Sequence, residues 1–488
     1  MKILRKILNL IQLPHILTFL VIMIAGTFFA ILNPLGQETD GDMHFFRSSD
    51  VSYGNVLGPF AVISHDSRVE ELPGNFNDYA FYVLTGDAKE GKAYQKKLKK
   101  LSTTWETMDY YDPRTYCSIY YYPQALGLLI ARTIGTTVYT MVIWGHMMNL
   151  LCYAILASLA VYYMPIYKNF LGAVTMLPMC VYLAASFSAD AMLNGLCFLF
   201  MALVFRYAYA EECTSLGIKQ MLPLGFLLWL IYTNKYVYAV LGLLVFLIPV
   251  SHFGSKKNYW KTFGVALLPI ILYIAYQVFG GSFVPQYDLL DVLGSTQEDM
   301  GTAGTLYPGM TQQEFVMTYP FEFLKVLVRS IYCGLSDWVV SANTFGWLKI
   351  GMEPVTYWLP VVMAGVILFD SNREPTSPLS KTAEITCVKW WHRILMTAAG
   401  LILICAVISS IYIFDSASNI VGWLKARGIQ GRYFLVTVPL FLMTLAPSSV
   451  KVNTKGLRYK VSGIMFFLLM WSVYIFYKHY YDYGILNF

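Results

Sequence analysis

Charge is what this sequence has least of. Its 488 residues include 35 Lys plus Arg and 29 Asp plus Glu, so charged residues make up 13% of the chain, against roughly 25% in an ordinary soluble domain. A soluble protein of this size would have to cover a large surface with that small supply. The shortage excludes a soluble enzyme, a disordered chain and a nucleic-acid binder with a basic face. The eight Cys are scattered, four of them inside apolar runs (Cys152, Cys180, Cys197, Cys405). They show no metal-ligand or disulfide spacing and assign no redox compartment. No internal repeat and no low-complexity segment is visible, and the missing repeat counts against many secondary-transporter folds.

What is abundant is apolar and aromatic. Hydrophobic residues make up 57% of the chain, and aromatics 16%, with 37 Tyr, 31 Phe and 11 Trp. Tyr and Trp favour the membrane–water interface, so lipid is the expected solvent for much of the surface. The chain begins with Lys2, Arg5 and Lys6 and then runs apolar from His15 to Leu32. A signal peptide would have a shorter apolar region and a small-residue cleavage site, which Asn33-Pro34-Leu35-Gly36 does not supply. The expected reading is a retained anchor with its basic end in the cytoplasm. A polar stretch follows to about Tyr121, and further apolar segments fall at about 137–163, 168–187, 189–210, 219–233, 236–251, 262–280, 355–369, 393–413, 432–447 and 461–480. The expectation is an all-α integral membrane protein of about eleven transmembrane helices, since a span must satisfy its own backbone in lipid.

Placing the cations tests that count. Lys168; Arg206 and Lys219; Lys256, Lys257 and Lys261; Arg373, Lys381, Lys389 and Arg393; and Lys451, Lys455, Arg458 and Lys460 fall in alternate loops, which are then cytoplasmic. The alternation holds if residues 122–134, which begin Tyr122-Pro123 and contain Arg132, form an interfacial or re-entrant helix instead of a span. Three regions then lie outside: 33–136, a large first extracytoplasmic loop, then 281–354 and 414–431. The C-terminal Tyr480-Tyr481-Asp482-Tyr483 also lies outside. The first loop carries a basic helix-like run from Ala88 to Leu101. It reads either as a solvated charged helix or as a surface for anionic headgroups or an anionic glycan.

Four places combine charge with polar and aromatic groups. Glu38-Thr39-Asp40-Gly41-Asp42-Met43-His44-Phe45-Phe46-Arg47 packs three carboxylates, a His and an Arg just after the first span. A carboxylate there can serve as a general base on a hydroxyl or hold a divalent metal such as Mg or Mn, with Asp40 and Asp42 as the ligand candidates. Ser188-Ala189-Asp190 stands at a tight turn, with Asn194 one helical turn on; Asp190 also suits a helix cap. Asn234-Lys235-Tyr236 is a second tight turn, whose Lys235 either snorkels or binds phosphate. Arg427-Gly428-Ile429-Gln430-Gly431-Arg432-Tyr433-Phe434 is the fourth, with Arg432 as an ion-pair partner or a clamp for an anionic headgroup. The topology puts all four on one face. Tyr110, Tyr111, Tyr116, Tyr120, Tyr121 and Tyr122 suit either stacking on sugar or an interface belt.

The order Pro34, Asp40, His44-Phe45, Arg47; Tyr121-Tyr122-Pro123-Gln124-Ala125-Leu126-Gly127; Gly145 with Asn149-Leu150-Leu151; Ser188 to Gly195; Lys235-Tyr236-Val237-Tyr238; Phe345-Gly346-Trp347-Leu348; and Gln430 to Phe434 resembles a family of bacterial multi-pass membrane proteins, domain of unknown function 2142. That family looks related to the GT-C class of polyprenol-dependent glycosyltransferases. The resemblance covers nearly the whole chain. It implies a GT-C-like helix bundle in which Asp40 matches the acidic residue of the first loop. Where the family commonly has an Asp-Glu pair this chain has Gly41, so Glu38 or Asp42 would substitute, and His146 follows Gly145 where Arg is usual.

The implied activity is transfer of a sugar from an undecaprenyl-type polyprenyl phosphate to a cell-surface glycan or teichoic-acid-like polymer, on the extracytoplasmic face of the bacterial cell membrane, with inversion. Asp40, Glu38, Asp42 and His44 are the catalytic candidates. Arg432, Lys235, Arg47 and Arg427 are the donor-phosphate candidates, with Asp190, Asn194, Tyr433 and Gln430 in support. A small flippase and a cytoplasmic-side glycosyltransferase that charges the carrier are the expected partners. The alternatives are a polymerase or ligase using lipid-pyrophosphate-linked oligosaccharide, and a transporter or flippase of lipid-linked saccharide. The last would want charge deep within spans, where His146 is the main candidate.

Overall fold

The computed structural model describes residues 13–56, 68–70, 72, 88–105, 107–109, 117–210, 212–279, 307, 309–370, 388–415, 419–446 and 456–482. Lys2, Arg5, Lys6, Tyr110, Tyr111, Tyr116, Arg373, Lys381, Lys451 and Lys455 lie outside the described residues, as does Tyr483. Among the described residues six helices are long and apolar enough to cross a membrane. They are α1 (Pro14–Leu32), α5 (Val138–Tyr163), α8 (Asp190–Tyr209), α10 (Lys256–Phe279), α14 (Trp390–Phe414) and α16 (Leu457–Tyr477). Their outward residues are apolar where water would favour charge: Ile155, Leu159, Leu272, Leu401 and Phe467 are all exposed. That pattern suits a surface bathed in lipid.

Several expected spans take another form. Residues 168–187 are two short helices, α6 (Lys168–Thr175) and α7 (Pro178–Ala184). Pro178 has no N–H to donate and pushes Leu177 to φ −54°, ψ 134°, so the helix breaks between them. Residues 170–190 are buried throughout, which makes this stretch protein core instead of a lipid-facing span. A broken helix is tolerable at membrane depth when protein surrounds it. Residues 432–447 likewise divide into a tight turn at Gly431–Phe434, helix α15 (Thr437–Leu442) and another turn at Met443–Leu445. Residues 236–251 form a narrow 3₁₀ segment, Tyr236–Leu247, followed by a turn at Val250–Phe253. Among the described residues, six of the helices are long and apolar enough to span, and shorter or broken pieces occupy the remaining apolar segments. Helix α9 (Ile218–Asn234) and helix α13 (Val355–Asp370) belong to the shorter class.

The first loop holds helices α2 (Gly41–Ser52), α3 (Ala88–Lys100) and α4 (Tyr122–Ile134) and a two-stranded pair, β1 (Arg68–Glu70) with β2 (Thr107–Asp109). Helix α4 lies hard against α5: a Cβ at Gly127 would meet the Trp144 carbonyl oxygen at 2.4 Å. The region 281–354 is more than a loop. Its described part contains α11 (Gln312–Thr318), the long helix α12 (Pro320–Ser341) and a small hairpin, β3 (Thr344–Phe345) with β4 (Ile350–Gly351). Glu322, Lys325, Arg329 and Asp337 interrupt α12's apolar residues, and those charges hid it from a hydropathy reading.

The β3–β4 hairpin packs against the turn that leaves α1. Phe345 stacks on Tyr182, with centroids 4.4 Å apart and planes 3° off parallel, and Phe29 packs edge-on at 5.7 Å. Trp347 Nε1 donates to the Gly36 carbonyl at 2.9 Å, and the Gly346 N–H donates to Tyr182 Oη at 3.3 Å. The turn that carries Glu38 and Asp40 is thus braced by residues 311 positions further along the chain.

Candidate functional site

A cavity of about 250 Å³ opens at one end of the bundle, lined by Asp40, His44, Ala189, Asp190, Asn234, Lys235, Tyr236, Val237, Tyr238, Val407, Ser410, Ile411, Arg432 and Tyr433. The Asp, Lys and Arg side chains arrive from the ends of helices. Asp40 immediately precedes α2 and holds a left-handed backbone, φ 59°, which is uncommon for a residue with a Cβ. Asp190 is the first residue of α8, and Lys235 follows the last residue of α9. Arg432 lies in the turn that precedes α15. Its neighbour Gly431 touches α12 so closely that a Cβ would sit 1.8 Å from the Trp338 carbonyl oxygen, and the Gly431 N–H donates to Ser341 Oγ at 2.8 Å. No other residue fits at 431, and α12 therefore fixes where Arg432 stands.

The charges interlock. Arg432 Nη2 donates to Asp40 Oδ2 at 3.3 Å, and Arg432 Nε lies 3.8 Å from Asp190 Oδ2. Lys235 Nζ donates to Asp190 Oδ1 at 2.5 Å. Both cations also face the Tyr433 ring, Lys235 at 4.9 Å and Arg432 at 5.2 Å from its centroid. The Arg432 side chain is 4% exposed and the Asp40 side chain 38%, so the acid meets the open space and the guanidinium stands behind it. Arg432 Nη1 and Nε are buried without a hydrogen-bond acceptor among the described residues. A buried guanidinium with donors to spare suits an anion that supplies the missing oxygens. His44 Nδ1 is 2.8 Å from Tyr121 Oη, and burial pushes the imidazole down to about 4 despite Asp40 and Asp190 nearby. His44 is therefore neutral at ordinary pH and can exchange a hydrogen bond with a hydroxyl.

The lining sorts the sequence candidates. Asp40, His44, Asp190, Lys235, Arg432 and Tyr433 come together from four separate regions. Glu38 lies behind them, fully buried, where its Oε1 accepts the Phe187 N–H at 2.9 Å. It ties the Asp40 turn to the turn before Asp190. Asp42, Asn194 and Gln430 are not in the lining. Arg47 is spent elsewhere, donating to Asp50 Oδ2 at 2.5 Å, because the two stand one turn apart on α2. Arg427 lays its guanidinium over Trp423 at 3.8 Å and does not line the cavity. A divalent ion is poorly provided for. Asp40 Oδ2 is engaged by Arg432, and among the described residues no group of three or more His, Cys, Asp or Glu is placed to hold a metal.

The sequence reading missed three parts of the wall. Tyr238 donates to the Tyr433 carbonyl at 2.7 Å and locks the Lys235 segment to the Arg432 segment. Tyr236 Oη lies 2.9 Å from Ser410 Oγ across the cavity mouth. Val407, Ser410 and Ile411 of α14 carry no signal that an isolated apolar span could reveal, whereas the Tyr-Val-Tyr run after Lys235 already hinted at the first two.

Glu38 and His44 give the site opposite pH signatures. Burial raises Glu38 from its ordinary 4.5 to about 7, so the folded chain holds that proton more tightly than the unfolded one. Its contribution is complete below pH 4.5 and falls away as pH rises toward 7. His44, lowered to about 4 from 6.5 by burial, contributes stability above 6.5 that is lost as pH falls toward 4. Glu38→Gln keeps an acceptor for the Phe187 N–H and removes the ionisation. Its unfolding free energy in detergent, measured against the parent, is expected to gain steadily from pH 4.5 to 7 and to level at about 3 kcal/mol. A pH-independent difference would show that Glu38 titrates normally.

A family model described as "Predicted membrane protein (DUF2142)" matches residues 23–442. No curated protein matches the chain, and no solved structure matches it.

Proposed function

Because the chain belongs to the predicted membrane protein family DUF2142, we propose that its cavity transfers a sugar from a polyprenyl-phosphate carrier to an envelope glycan, on the extracytoplasmic face. The observation that carries this reading is the pairing of Asp40 with Arg432 in one cavity at the end of the membrane helices: a carboxylate facing open space, backed by a buried guanidinium with unused donors. The resemblance to GT-C glycosyltransferases supports it as analogy. The apolar side of the lining, Val237, Val407 and Ile411, suits the first carbons of a lipid tail. The 3₁₀ segment that starts at Tyr236 goes on to line a second, apolar cavity of about 470 Å³ between α9 and α10.

The reaction follows from the charges. Asp40 accepts the proton of the acceptor hydroxyl, and that oxygen attacks the anomeric carbon. The bond from that carbon to the phosphate oxygen breaks, leaving a glycoside, a polyprenyl phosphate and a protonated Asp40. Negative charge grows on the departing phosphate, where Arg432 and Lys235 are fixed in a partly buried setting and need no reorganisation. Asp190 holds both cations in place. A single displacement of this kind inverts the anomeric centre.

The test is direct. Purified protein in nanodiscs, given polyprenyl-phosphate sugars and envelope glycan, is expected to release polyprenyl phosphate and glycosylate the acceptor. Movement of an unreacted lipid-linked saccharide between leaflets, with no release of carrier, would replace the transferase with a flippase.

A further inference from the structure

Helix α3 carries Lys89, Lys92, Lys96, Lys97, Lys99 and Lys100 in thirteen residues, with Glu90 as its only acid. At 3.6 residues per turn these six lysines fall on one side, and Gly91, Tyr94, Gln95 and Leu98 on the other are buried. Lys89, Lys96, Lys97 and Lys100 are exposed. None of these residues lines the cavity, so the proposed transfer reaction leaves this face unexplained.

The place of the helix says what it meets. Its C-terminal end is fastened to the beginning of α5, a membrane-crossing helix. The Val138 N–H donates to the Leu101 carbonyl at 2.9 Å, and the Thr103 N–H donates to the Thr136 carbonyl at 2.8 Å. Lys99 Nζ sits 4.9 Å above the Tyr139 ring. Helices α4 and α5, packed on each other, expose apolar side chains, with Leu126, Leu129 and Ile134 on α4 and Ile155 and Leu159 on α5. Such side chains are stable in hydrocarbon, and the end of a membrane-length helix, with α3 fastened to it, then falls at the headgroup layer. Trp105, four residues past the fastening at Leu101, is exposed, as interfacial tryptophans are.

We propose that α3 is a docking surface for anionic phospholipid headgroups, its lysines gripping their phosphates around the rim of α5. A solvated charged helix would need no such position, and lysine heads on long apolar stems are suited to reaching down to phosphates.

Amide hydrogen exchange over residues 88–101 of the full-length protein tests this in nanodiscs of zwitterionic lipid and of lipid with an anionic fraction. Exchange is expected to slow by about tenfold in the anionic discs and to recover in high salt. The quadruple variant Lys89→Gln, Lys96→Gln, Lys97→Gln, Lys100→Gln is expected to lose the slowing. The matching Lys→Arg variant is expected to keep it, which separates charge from a folding defect. Equal exchange in the two membranes overturns the proposal. So does equal slowing in zwitterionic discs on adding a soluble acidic polysaccharide, which would make the surface a glycan site.

Discussion

Arg432→Ala is expected to cost the protein about 3–5 kcal/mol of stability and to lower sugar transfer by about 10²–10³-fold. The guanidinium pairs with both acids of the cavity, Asp40 at 3.3 Å and Asp190 at 3.8 Å. Removing it leaves two carboxylates facing each other, with Lys235 engaged on only one of them. It also removes Nη1 and Nε, which have no hydrogen-bond acceptor among the described residues, from the proposed phosphate site. Arg432→Lys should recover part of the stability but little turnover, because a single ammonium cannot serve two acids and a phosphate in a fixed fork. Combining Arg432→Ala with Asp190→Asn separates the effects: stability should rise relative to Arg432→Ala alone, while transfer and polyprenyl-phosphate affinity stay low. Thermal unfolding in detergent and a release assay for the carrier measure both. Ordinary transfer by a folded Arg432→Ala protein would remove Arg432 from the phosphate site.

Asp40→Asn is expected to reduce transfer by about 10²–10⁴-fold, the usual worth of a positioned base, while changing stability by under about 1 kcal/mol. The contrast has a structural cause. Asp40 is partly exposed and its contact with Arg432 is long, so the lost attraction is small after solvent screening. Asn also tolerates the left-handed backbone at φ 59°, which Ala does not. The amide can still accept a hydrogen bond from Arg432 but cannot take a proton. Carrier affinity should therefore persist while turnover disappears, and full turnover by Asp40→Asn would make another group the base.

The sequence was most legible where one residue type has one dominant use. Apolar runs identify α1, α5, α8, α10, α14 and α16, because lipid permits little besides an apolar helix. It was least legible where neighbours decide. Residues 168–187 read as a span by composition, but Pro178 and complete burial make them two core helices. Helix α12 was invisible because its charges face outward while Phe323, Val326, Ser330 and Trp338 are buried.

The candidate site divides in the same way. Scarcity of charge made Asp40, Asp190, Lys235 and Arg432 conspicuous, since a membrane chain retains few ionisable groups at span ends without a use for them. The same reasoning held Arg47 and Arg427 in reserve, and neither lines the cavity, Arg47 pairing with Asp50 and Arg427 lying over Trp423.

What the sequence determined alone was the solvent of the protein and the identities of its rare charges, because both depend on composition and local order. What tertiary structure decided was which charges meet. Asp40 and Arg432 are separated by 392 positions and joined at 3.3 Å. That meeting depends on a Gly431 pressed against α12, a hairpin holding the Gly36 turn and Glu38 reaching Phe187. Contacts of such long range have no periodicity along the chain, so only the packed bundle specifies them.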